Sequence, residues 1–105
     1  MALKKNVTFG ELIRFYREES NLPLRVVAKF LSIDHSLLGK IERNERHPTK
    51  EFISKIATYY KVDINDLNKA YLSDQIAYKI LDEVQNIEIL KVAENKIKYL
   101  TKHNK

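Results

Sequence analysis

The chain is expected to be all-α, on three observations. Residues 22–48, LPLRVVAKFLSIDHSLLGKIERNERHP, read by spacing as two short amphipathic helices joined by a tight turn. Helix-start residues stand ahead of most apolar faces: Thr8, Asp34, Thr49, Asp63 and Ser73. Beyond residue 72, apolar residues keep a helical period almost to the end. At 105 residues the chain is long enough for one core without staples.

Residues 1–7 carry two lysines and no periodicity, and read as a loose arm, of the kind that can reach a phosphate or a minor groove. Thr8-Phe9-Gly10-Glu11 fits a capping box. Phe9, Leu12, Ile13 and Tyr16 then line one side of a first helix ending near Ser20-Asn21. The second helix is expected to begin at Pro23, whose fixed backbone suits a first turn. It shows Val27, Ala28 and Leu31 on one face. Ile33 falls in the turn.

Asp34 is a suitable N-cap for the third helix, which hides Leu38 and Ile41. His35, Ser36, Gly39, Lys40 and Arg43 share its outward face. A short helix with a hidden apolar side and outward hydrogen-bonding groups and cations suits a DNA major groove. Leu37 is expected to pack against Phe30, and Gly39 costs about 1 kcal/mol relative to alanine inside a helix. Thr49 caps a fourth helix bearing Phe52, Ile53, Ile56, Ala57 and Tyr60. Asp63 caps a short fifth one marked by Val62, Ile64 and Leu67.

Ser73-Asp74 reads as the start of a further helix with Ile76, Ala77, Ile80, Leu81 and Val84 at helical spacing. Asn86 can cap another, bearing Ile87, Leu90, Ala93, Ile97 and Leu100. Two amphipathic helices beyond a finished domain must bury their stripes on that domain or on a second copy. The second copy is preferred, because one short site gives a single protein too little specificity. The expected interface is Ile76, Ile80, Leu81, Val84, Ile87, Leu90 and Ile97. The organisation is thus an arm at 1–7, a domain at 8–72 and a helical extension at 73–105.

The motifs LxxxVAxxL at 22–31, SID at 32–34, LLxKIERNER at 37–46 and PT at 48–49 resemble the helix-turn-helix domain of the phage-repressor-like (XRE/Cro) regulators. With flanking helices, the resemblance covers roughly residues 8–70. It implies a lambda-repressor-like five-helix DNA-binding domain, here with one or two additional C-terminal helices. It also implies that Arg17 and Glu42 form a structural ion pair clamping two helices, and that the loop after the third helix clamps the sugar–phosphate backbone. His35, Ser36 and Lys40 are the expected base readers, Lys40 as a donor to guanine O6 or N7. Arg43, Asn44, Arg46, His47, Thr49 and Lys50 are the expected phosphate-binding set, with Asn44 in a helix-ending left-handed conformation. Two departures stand out. Pro23 and Leu24 replace the usual hydroxyl cap and phosphate-binding glutamine, so Arg25, Lys29 or backbone amides must supply that anchor. Ser32 stands where glycine is common in the turn.

Net charge is +5, and residues 1–72 hold 13 Lys/Arg against 9 Asp/Glu, whereas residues 73–105 hold 6 against 5. The excess sits with the half expected to meet phosphates. No cysteine is present, so no disulfide, thiolate metal site or cysteine nucleophile is available. His35, His47 and His103 form no metal motif, two glycines leave no phosphate loop, and no enzyme constellation is visible. No cofactor, metal or membrane contact is expected. No apolar run approaches a membrane span, and MALKKNVT has no signal-peptide apolar region, so a cytoplasmic protein is expected.

These readings lead to a sequence-specific, double-stranded-DNA-binding transcriptional regulator, a dimer on a two-fold operator. Small regulators of this kind resemble the controller proteins of restriction–modification systems. The alternative is a protein-binding module, such as an antitoxin, that engages a different protein through residues 73–105.

Overall fold

A computed structural model describes residues 7–83 and 86–103. They form six helices: α1 Phe9–Glu19, α2 Leu24–Leu31, α3 His35–Glu42, α4 Lys50–Tyr60, α5 Ile64–Glu83 and α6 Glu88–His103. The all-α expectation holds. The chain divides into two compact units, Met1–Asp74 and Gln75–Lys105. Expectations for residues 1–6 and for Val84 lie outside the described residues.

In the first unit, each helix sends its apolar stripe into one core. Phe9, Leu12, Ile13 and Tyr16 come from α1, and Val27, Ala28 and Leu31 from α2. Leu38 and Ile41 come from α3, Phe52, Ile53, Ile56 and Ala57 from α4, and Leu67 from α5. Val27, Leu38 and Leu67 are completely hidden. Burying side chains of this size contributes about 1.5–3 kcal/mol apiece, against which the ordering of the chain must be set.

The starts of these helices follow their cap residues. Thr8 and Glu11 form the reciprocal capping box, Asp34 accepts from the Ser36 amide, and Thr49 accepts from the Phe52 amide. Pro23 is the N-cap of α2, not its first helical residue, and supplies no side-chain hydrogen bond. Asp63 accepts from the Asn65 amide at the head of α5.

The four endings share one device. Asn21, Ser32, Asn44 and Lys61 all adopt left-handed backbone, with φ of 55°, 58°, 62° and 56°. The residue after each donates its amide five positions back: Leu22 to Arg17, Ile33 to Ala28, Glu45 to Lys40 and Val62 to Ala57. This is the Schellman ending, made four times without glycine.

The extension departs from expectation. Instead of a short fifth helix followed by a new one at Ser73, α5 runs unbroken through Glu83. Ser73 turns its hydroxyl back to the Ala70 carbonyl, a bond made within a helix, and no glycine or proline interrupts the run. Asp74 does not cap its own segment; its carboxylate accepts from the Phe9 amide of α1 at 2.7 Å. Asn86 does accept from the Glu88 amide at the start of α6.

In the second unit, α6 buries no residue. Ile76, Leu81, Ile87, Leu90 and Ile97 are exposed, Ile80 is half-buried, and Ile87 keeps 74% of its surface open. Leu37 is partly buried against the core of the first unit. Phe30 is exposed, its ring 4.3 Å from that of Tyr59.

Candidate nucleic-acid interface

The third helix is held by its buried side and by its C-terminal end. Leu38, Gly39, Ile41 and Glu42 are buried, while His35, Ser36 and Lys40 remain exposed. Gly39 was expected on the outward face; instead the side chains of Arg43 and Leu24 lie over it. The outward residues therefore stand on a helix whose other side is locked in the core. The His35 ring lies 3.9 Å from the Asp34 carboxylate. The Ser36 amide is taken by the Asp34 cap, which leaves the hydroxyl to other partners.

Arg17 and Glu42 meet across α1 and α3. The Arg17 guanidinium donates to both carboxylate oxygens, at 2.8 and 3.0 Å, and to the Leu22 carbonyl at 3.0 Å. The side chains are only 13% and 4% exposed. The hydrogen bond to Glu42 raises the Arg17 pKa above its usual value, against the opposing effect of burial. Burial, with the nearby Glu42 charge, pushes the Tyr60 phenol well above its ordinary range. Both keep their protons at neutral pH.

A second junction lies at the head of α1. A methyl group on Gly10 would sit 2.5 Å from the Glu42 carbonyl and 2.6 Å from that of Ile41. Only glycine lets the end of α3 rest there. The Asn44 side chain crosses the same gap: its oxygen accepts from the Gly10 amide at 3.2 Å and its nitrogen donates to the Thr8 hydroxyl at 2.7 Å. With Asp74 on the Phe9 amide and Thr8 on the Glu11 amide, the first three amides of α1 all find side-chain acceptors. The partial positive charge of the helix start favours the Asp74 carboxylate and the α3 carbonyls around it.

The loop after α3 is a mixed surface. Arg43 is exposed and paired with Glu45 at 3.0 Å, which raises its pKa and lowers that of Glu45. Asn44 uses its side chain on α1, as just described. Arg46 is exposed. The Nδ1 of His47 lies 3.3 Å from the Tyr71 hydroxyl, with the two rings edge to face. The Thr49 hydroxyl caps α4, and Lys50 is exposed in the first turn of that helix. Arg25 and Lys29 are exposed on α2.

Three of these residues act on partners distant in sequence. Gly10 sits within a capping box, where a glycine has no local reason to be. Asp74 reads locally as a helix start. Tyr71 carries no signal, because its partners Phe9 and His47 are distant in sequence.

The defining helix-turn-helix family pattern matches residues 13–67, more than half of the chain. The chain belongs to the XRE-type helix-turn-helix family. This helix-turn-helix regulator is therefore an all-α, lambda-repressor-like protein that binds DNA and regulates transcription. No curated protein matches it. Among the described residues, no helix is long and apolar enough to cross a membrane, and no cluster of three or more His, Cys, Asp or Glu could hold a metal ion.

Proposed function

We propose that this regulator reads a two-fold operator in double-stranded DNA as a homodimer, with α3 in the major groove of each half-site. The observation that carries the reading is the division of α3 into a locked inner face and an open outer one bearing His35, Ser36 and Lys40. These side chains read bases, Lys40 as donor to a guanine edge. Arg43, Arg46, His47 and Lys50 hold phosphates on one side, and Arg25 and Lys29 on the other. Asn44 and Thr49 act through the backbone they organise, since their side chains are engaged as caps.

Dimerisation is assigned to the second unit. Its Ile76, Leu81, Ile87, Leu90 and Ile97 are exposed apolar side chains that a second copy would cover. The near balance of charge in residues 73–105 suits pairing of like chains. Half-sites should lie about 34 Å apart, one turn of duplex.

The test is an anisotropy titration of a duplex enriched from a random pool by the full chain. An unselected duplex runs beside it at two salt concentrations, with sedimentation to give the oligomeric state. A preference of about a thousandfold or more for the enriched duplex, bound by two chains, is expected. Equal, salt-sensitive binding to both duplexes would overturn sequence-specific reading. A monomer at micromolar concentration, or capture of a different protein by residues 75–103, would overturn the homodimer.

A further inference from the structure

The first half of α5 and the start of α4 leave a cleft between them. Ile64, Asn68, Tyr71 and Leu72 fall on one stripe of α5, and Lys50 and Ile53 on one side of α4. With Pro48 from the preceding loop they line a cavity of about 450 Å³. Small-molecule sites span about 300–1,000 Å³, so the size is sufficient. All of these residues belong to the first unit. Ile53 is buried, Pro48 and Tyr71 are half-buried, and Ile64 and Leu72 stand exposed at the rim.

The lining is apolar except at a few points. Lys50 and Asn68 both border the cleft, and among the described residues neither side chain has a hydrogen-bond or ion-pair partner. The carboxylate next to Lys50 in sequence, that of Glu51, is already paired with Lys55 at 3.3 Å. The cleft therefore offers apolar walls to an apolar body, and one cation with one amide donor to an anionic head. A neutral hydrocarbon would leave the cation unused, and a bare anion would leave the apolar walls uncovered. A small carboxylate with an apolar tail satisfies both.

The cleft shares a wall with the surface assigned to phosphates. Lys50 belongs to both. Tyr71 lines the cleft while its hydroxyl lies 3.3 Å from Nδ1 of His47, a second member of the phosphate set. Pro48 joins His47 to the start of α4. A carboxylate that takes Lys50 withdraws a cation from the DNA backbone and sets a negative charge beside it. We propose that this cleft binds a small amphipathic carboxylate, which pairs with Lys50 and so weakens the hold on DNA. The inference rests on the reading of Lys50 as a phosphate contact and is independent of the dimer and of the operator.

The experiment titrates the full-length protein, isotope-labelled for amide spectra, with octanoate, octanol or acetate at constant ionic strength. Octanoate should bind with a Kd of about 1 mM or tighter and shift the amides of Lys50, Ile53, Ile64 and Leu72. Octanol and acetate should each bind about tenfold more weakly or worse. K50Q should lose the preference for octanoate over octanol. Shifts centred elsewhere, or equal wild-type affinity for octanoate and octanol, would overturn the site.

The effect on DNA is read by anisotropy with an unselected duplex. Saturating octanoate should weaken wild-type binding about fivefold or more, and saturating duplex should weaken octanoate binding by the same factor. K50Q should show a salt slope lower by about one ion and no response to octanoate. A filled cleft with unchanged DNA affinity would overturn the release of DNA. The salt slope of K50Q then separates the two readings. A reduced slope leaves Lys50 on phosphate and removes only the coupling, whereas an unchanged slope removes the phosphate role as well.

Discussion

Arg17 and Glu42 join α1 to the last turn of α3 through two parallel hydrogen bonds, at 2.8 and 3.0 Å, in a site almost closed to water. Removing one partner strands the other charge without compensation. Arg17→Ala or Glu42→Ala should cost about 3–5 kcal/mol in urea denaturation. Replacing both by apolar residues of similar volume should cost much less, because no buried charge is then left unpaired. A double-mutant cycle in which the two single losses simply add would show that the bonds contribute nothing as a pair.

Gly10 is the contact point for the carbonyl end of α3. Gly10→Ala would drive a methyl group against the backbone oxygens of Ile41 and Glu42, which cannot rotate away. A loss of about 3 kcal/mol is expected, at the upper end for overpacking, although alanine is the better helix former. Stability equal to or above the wild type in thermal melts would contradict this packing.

Ser32 and Lys61 hold left-handed backbone without the freedom of glycine. Ser32→Gly and Lys61→Gly should each stabilise the protein by about 0.5–1 kcal/mol, the steric penalty exceeding the added entropy of the unfolded chain. Asn21 and Asn44 tolerate that conformation better. Asn44→Gly should therefore destabilise, since it removes the cap on Gly10. Calorimetry of the variants separates these signs.

Asp74 has an unusual pH signature. Burial raises its pKa above 3.8; the Phe9 hydrogen bond opposes this, and the Glu11 charge adds to it. A carboxyl group with a raised folded pKa binds protons more readily in the folded state. Its effect on stability is therefore unfavourable at neutral pH and fades as pH falls through the folded value toward 3.8. Asp74→Asn retains an acceptor and removes that penalty. It should match or exceed the wild type at neutral pH and lose the advantage in acid. Asp74→Ala should be less stable at both, and urea titrations across that range measure the difference.

Lys40 and Arg46 are expected to differ in kind. Lys40→Ala should cost about 1–3 kcal/mol on the enriched duplex and relax preference at one base pair. Arg46→Ala should weaken all duplexes alike and reduce the salt slope by about one ion. Equal losses on enriched and unselected DNA for Lys40→Ala would remove it from the base-reading set.

The course of α5 also changes how the extension must be probed. Truncation after Leu72 would take away Asp74 and uncover the Phe9 amide, so any loss of DNA binding would confound a lost dimer with a damaged domain. Leu81→Asp or Ile97→Asp in the full chain leaves the first unit intact.

Local chemistry determined the helices, their cap residues and the faces they bury. Thr8 with Glu11, Asp34 before Ser36 and Thr49 before Phe52 act within three residues, so each could be read from the chain alone. The outward placing of His35, Ser36, Lys40 and Arg43 on α3 follows from the same periodicity, whereas Gly39, expected beside them, is buried. Only the tertiary structure decided where Asp74, Asn44 and Gly10 act. Their partners lie 65 residues away for Asp74 and 34 for Asn44, and the space Gly10 leaves is filled by carbonyls from another helix. Asp74 can cap its own segment or another helix equally well by local rules. The Phe9 amide, 2.7 Å from its carboxylate beside buried Leu67 and partly buried Tyr71, settled that choice, and α5 runs on unbroken where two helices were expected.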